Sequence, residues 1–146
     1  MKTYDEYKMA LWMRESNNNP KAVNTYGYLG LLQLGTDALI TMGLKCHHCK
    51  SWILGWNTKK FLEDRAFQEE LTDKWLRFVK KKCLQWDFSE FYGDRIDLSG
   101  TMAGCHLMWY GGLKDYFKKG IDRKDGYGTP ISEYIIKFSG YDVGDL

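Results

Sequence analysis

From Asp64 to Gln85 apolar side chains return at helical spacing: Phe67, Leu71, Trp75, Phe78 and Val79. The run contains no glycine or proline, and Lys80, Lys81 and Lys82 suit the negative end of a helix dipole. One long helix with a one-sided apolar stripe is therefore expected. Such a stripe must be covered by other elements of the same core. The chain has 146 residues, 44% of them hydrophobic, enough for a single domain of ordinary size.

The other segments also read as mostly helical. Thr3-Tyr4-Asp5-Glu6 has the capping-box pattern, and Tyr4, Tyr7, Leu11 and Glu15 follow along one helix face. Asn17-Asn18-Asn19-Pro20 stops that helix. Residues 22–34 mix turn formers (Asn24, Gly27, Gly30) with aromatic and aliphatic residues and predict a short β-hairpin or an irregular β-like loop. Thr36 to Leu44 predicts a short helix stopped near Gly43, and residues 45–58 a loop. Ser99 can cap a helix through Tyr110, whose Gly100, Ala103, Gly104 and Cys105 permit close packing. Gly111-Gly112 should break it before a short helix from Leu113 to Lys119. The last helix is expected to use Thr129 as cap and Pro130 in its first turn, to bury Ile131, Tyr134, Ile135 and Phe138, and to end at Gly140. The fold class is mostly α (α+β), a single domain over 1–146 without internal repeats.

Composition excludes several classes. With two prolines and no low-complexity run, the chain is not disordered. No apolar run is long enough to span a bilayer. A net charge of +2 does not argue for nucleic acid. Aromatic residues make up 16%, which suits a dense core or a groove that grips sugars or peptides. Cys46-His47-His48-Cys49 has the spacing of half a zinc site, which Cys83 and Cys105 would complete; disulfides or free thiols are the alternatives. A Cys-His metal module that reads nucleic acid is a further option, disfavoured by the weak charge.

Glu15-Ser16-Asn17-Asn18-Asn19-Pro20, then Ala22-Val23, then Gly27-Tyr28-Leu29-Gly30-Leu31-Leu32-Gln33 resembles the signature of the lysozyme-like superfamily, particularly lytic transglycosylases and related phage and secreted-toxin muramidases. In that family a Glu-Ser pair ends a helix, a Pro-Asn-Ala-Val-like stretch follows, and a Gly-x-x-Gly-Leu-x-Gln run leads onward. Ala103-Gly104-Cys105-His106-Leu107 with Gly111-Gly112-Leu113 is a weaker match to a later helix of these enzymes. The C-terminal stretch from Thr129 to Tyr141 is similar to the tails of phage and type VI secretion relatives.

The resemblance implies a lysozyme-like helical domain with the β-hairpin beside its cleft, and Glu15 as the catalytic general acid/base. Ser16, Tyr28, Gln33, Trp109 and Tyr110 become candidates for holding or supporting substrate. Each has a plainer role available: Gln33 as a buried amide bonded to backbone, Trp109 and Tyr110 as core aromatics, Ser16 as a support. The chemistry agrees with the name, because cleaving a glycosidic bond needs a carboxylic acid that can donate to the leaving oxygen, and apolar neighbours favour its protonated form. The pattern departs from phage-type lysozymes at Asn24, nine residues after the Glu, where they carry an Asp. That departure fits transglycosylases, in which one Glu acts alone and the substrate's own 6-hydroxyl attacks. Asp37, Asp94 and Asp97 remain as distant second carboxylates, or as surface and capping residues.

The implied activity is bacteriolytic cleavage of peptidoglycan glycan strands at the MurNAc-β-1,4-GlcNAc bond, by hydrolase or lytic transglycosylase chemistry. No metal or cofactor is required. The alternative is a non-catalytic peptidoglycan-binding or phage structural module. Residues 1–8 hold no apolar signal core. The expectation is synthesis in the cytoplasm and action in the periplasm or cell wall after delivery by a phage or secretion system. For a toxin, an immunity protein that plugs the cleft is the expected partner.

Overall fold

The computed structural model describes residues 1–146 and is mostly helical. Six α-helices follow in order: α1 Tyr4–Ser16, α2 Thr36–Thr41, α3 Thr58–Glu63, α4 Arg65–Trp86, α5 Leu98–Lys119 and α6 Ile131–Lys137, with one 3₁₀ turn at Ser89–Phe91. No helix is long and apolar enough to cross a membrane. The chain divides into two compact units, an inner unit of Lys8–Trp75 and a terminal unit of Met1–Tyr7 with Leu76–Leu146.

In the inner unit, the expected β-hairpin at 22–34 does not form. Two isolated antiparallel bridges stand in its place, Val23 with Leu29 and Leu29 with Leu34. The reason is local. Asn24 Oδ1 accepts the N–H groups of Tyr26 and Tyr28, both at 2.9 Å, closing the chain into a turn. Gly27, Gly30 and Gln33 then adopt positive φ (80°, 76° and 55°), so the direction changes every third residue and no ladder can extend. The core here is Leu11, Trp12, Leu29, Leu31, Leu32, Leu34, Leu39, Phe61, Leu71 and Trp75.

Helix α2 is shorter than its sequence pattern, ending at Thr41 with Gly43 at φ 81° just beyond. Helix α3 fills the interval between the expected loop, which ends at 58, and the expected start of the long helix near Asp64. Asn57 caps it by accepting the Lys60 N–H at 2.8 Å, and Phe61 is buried. Asp64, outside helical geometry, ends α3 and accepts the Phe67 N–H at 2.9 Å to open α4.

In the terminal unit, α5 and α6 pack closely because α5 presents glycine. A Cβ on Gly100 would collide with the Ile135 carbonyl and Ser139 Oγ, and one on Gly104 with the Ile135 side chain. Asp97, two residues before Ser99, is the cap of α5. Ser99 is buried and accepts the Tyr141 N–H, and its carbonyl accepts the Tyr7 hydroxyl at 2.6 Å. The helix break falls at Trp109 (φ 58°, ψ −165°) and not at Gly111-Gly112. Gly112 is needed for space, since a Cβ there would meet Met108. Helix α6 has Pro130, not Thr129, at its N-cap position, and no side chain of its own caps it. Asp122 does so from ten residues upstream, accepting the Ser132 N–H at 3.0 Å and its hydroxyl at 2.5 Å.

Candidate active site

The end of α1 is fixed from several directions within the inner unit. Asn17 and Asn18 both take positive φ, which reverses the chain after Ser16. Asn18 donates its N–H to the Trp12 carbonyl at 2.9 Å. The Arg65 guanidinium reaches Asn18 Oδ1 at 2.7 Å and lies 5.6 Å from the Trp12 ring, whose Nε1–H donates to Thr72 Oγ1 at 3.1 Å. Glu15 sits in this last turn, half-buried and four residues after the fully buried Leu11.

Ser16 ties that turn to the following loop. Its hydroxyl lies 3.0 Å from the Trp12 carbonyl and 2.9 Å from the Leu31 carbonyl, and it accepts the Asn19 N–H at 3.2 Å. A group so occupied supports the site. Gln33, 7% exposed, gives its amide N–H groups to the carbonyls of Ala22 (3.2 Å) and Gly30 (2.9 Å). Of its two anticipated roles, the buried amide describes these bonds. Tyr28 is 46% exposed and its ring lies 6.4 Å from that of Tyr26, itself 58% exposed. The loop beside Glu15's turn therefore carries two open phenol rings on a backbone with little freedom.

Gln68, which sequence reasoning missed, supplies much of that rigidity. Buried on α4, it accepts the Leu31 N–H at 2.8 Å and donates to the carbonyls of Pro20 (2.9 Å) and Phe61 (2.8 Å). Gly30 must be glycine here, because a Cβ would occupy the place of the Gln68 amide. A polar residue at a core position of a long apolar stripe is the signal that could have found it.

Trp109 and Tyr110 belong to the terminal unit. Trp109, 40% exposed at the kink of α5, stacks on Phe78 (5.8 Å, 14°) and meets Trp86 edge-on at 5.2 Å. Tyr110 packs against Trp86 at 4.7 Å and Phe88 at 6.3 Å. Among the distant carboxylates, Asp97 is committed to capping, Asp37 is exposed in the first turn of α2, and Asp94 is exposed beside an open groove of about 290 Å³ lined by Arg95, Ile136 and Ser139.

The four cysteines fall into two pairs. Cys46 and Cys49 lie in the inner unit; Cys83 and Cys105 are buried in the terminal unit, where the hydrogen bond between their thiols, followed by burial, raises the proton affinity of Cys105 strongly. All four are free thiols, and no three metal-ligating side chains converge. No protein-family model, curated protein or solved structure matches the chain.

Proposed function

We propose that the chain cleaves peptidoglycan glycan strands, with Glu15 as general acid and then general base. The observation that carries this reading is the Ser16–Leu31 tie, which holds Glu15's helical turn against the Gly27–Gln33 loop and its exposed Tyr28. Those residues are the ones whose order resembles the lysozyme-like signature. A half-buried carboxyl at a fixed turn, tied to a loop that carries an exposed ring suited to sugar faces, is the minimum equipment for the chemistry.

In this reading Glu15 gives its proton to the oxygen linking the two sugars, and the C1–O bond breaks as an oxocarbenium-like centre develops. The resulting carboxylate then takes a proton from the group that attacks C1. With the 6-hydroxyl of the same sugar as attacker, the product is a 1,6-anhydro ring and Glu15 ends protonated, ready for another cycle. With water as attacker, the product is a reducing end. Asn24 occupies the second-carboxylate position of phage-type lysozymes, and its Oδ1 is bonded to two backbone N–H groups, which supports the single-acid route.

Clearing of purified cell wall by the wild type and by Glu15→Gln tests this directly. The expected result is a loss of about a hundredfold or more on substitution, with released fragments one water lighter than reducing-end products. Equal clearing by both proteins removes Glu15 from the chemistry. A wild type that pellets with cell wall without clearing it means a wall-binding module.

A further inference from the structure

Cys46, His47, His48 and Cys49 occupy a tight loop that the proposed catalysis does not use. Its base is an antiparallel bridge between Lys45 and Trp52, and the Cys46 N–H donates to the Ser51 carbonyl at 2.8 Å. The Lys50 N–H returns to the Cys46 carbonyl at 2.9 Å, and Lys50 adopts φ 58°, turning the chain just after the second cysteine. Within the turn the Cys49 N–H points at Cys46 Sγ, 3.5 Å away. The turn thus folds the backbone of the second cysteine onto the sulfur of the first, and sulfur is a ligand that zinc favours.

Two sulfurs are too few to close a structural zinc site, which takes four donors in a tetrahedron. No third ligating side chain converges on them, and Cys83 and Cys105 are buried within the other unit. The loop itself is exposed from His47 to Ser51, so a second molecule can approach it.

We propose that Cys46 and Cys49 form half of a zinc site and that a second copy of this chain completes it, one Zn²⁺ held by four thiolates bridging two chains. Each thiol that ionises on binding releases its proton to solvent, so uptake weakens as the pH falls. The four-thiolate centre carries a net double negative charge. Lys45 and Lys50 flank the cysteines in each copy and bring opposite charge to it. A two-fold axis through the metal makes the contact self-complementary and closed. His47 and His48 stay outside the coordination sphere. This inference does not rest on Glu15.

The test is titration of the full, reduced, metal-stripped chain with Zn²⁺, followed by light scattering, with Co²⁺ as an optical probe. The expected result is uptake of about one ion per two chains, a doubled molar mass, and a sulfur-to-cobalt charge-transfer band. A Cys46→Ser/Cys49→Ser chain should lose all three, while His47→Asn/His48→Asn keeps them. The proposal fails if no ion is taken up, if one ion binds each monomer without a change in mass, or if the serine variant still binds. Should that variant not fold, the cobalt band of the wild type decides alone, since its absence excludes sulfur ligation.

Discussion

Gln68 makes three hydrogen bonds, all to backbone groups of other segments, while itself 3% exposed. Truncation would strand the Leu31 N–H and remove a partner from the Pro20 carbonyl, while the Phe61 carbonyl keeps the Asp64 N–H at 3.2 Å; each buried orphan costs about 1–3 kcal/mol. Gln68→Ala is therefore expected to lower stability by roughly 3 kcal/mol or more. Urea unfolding measures it, and a change within half a kcal/mol would mean that water replaces the amide. Because Gln68 and Ser16 converge on Leu31, one on its N–H and the other on its carbonyl, the substitution should also reduce the wall clearing proposed for the chain. The residue types were legible in the sequence. Their partners were not, because Gln68 and Leu31 are 37 positions apart and nothing in local spacing encodes such a pair.

Among the elements, α5 depends most visibly on one side chain. Asp97 Oδ1 accepts the Gly100 N–H at 3.2 Å and the Ser99 hydroxyl at 2.6 Å, while Oδ2 accepts the Gly140 N–H at 2.8 Å, joining the start of α5 to the end of α6. Asp97→Ala should cost about 2 kcal/mol, and Asp97→Asn less, because asparagine also caps well. Equal losses for the two variants, measured by denaturant unfolding, would point to the charge and not the cap. The capping box of α1 was plain in the sequence and is present in both directions, Glu6 N–H to Thr3 Oγ1 at 3.1 Å and Thr3 N–H to Glu6 at 2.9 Å. The stripe of α4 was less accurate. Leu71, Trp75 and Val79 are buried, but Phe67 and Phe78 are only half-buried, and Gln68, Thr72, Leu76 and Cys83 take the inner face. Hydrophobicity alone misplaced it, since two polar residues point inward.

Over the whole molecule, the perturbed groups other than Cys49 lie in the terminal unit. A hydrogen bond from Arg123, with the charges of Arg123 and Lys119, holds Asp115 below the usual carboxylate range; the Ser89 hydroxyl, followed by its N–H, does the same for Asp87. The unfolded chain then takes up these protons at a higher pH than the folded one. Their contribution is present above about pH 4 and is lost as the pH falls below it. Burial raises Tyr7 and Tyr92, so the unfolded chain gives up those protons first and stability declines above about pH 10. Thermal unfolding across pH should show both limbs. Asp115→Asn should melt lower at neutral pH and show a shallower acid limb; an unchanged acid limb would mean that the Arg123 pair contributes nothing. No buried side-chain nitrogen or oxygen lacks a hydrogen-bond partner, so the titrating groups act against a satisfied polar interior.

Local sequence sets where α1 starts and stops, the long α4, the glycine face of α5 and the position of Glu15 at a helix end. These rest on interactions within about four residues, which spacing and capping chemistry encode. The folded chain alone sets that Asp122 caps α6 and that Gln68 fixes the loop beside Glu15. In both cases a side chain meets a backbone demand that local pattern cannot express. A buried N–H or carbonyl must find a partner wherever the folded chain brings one.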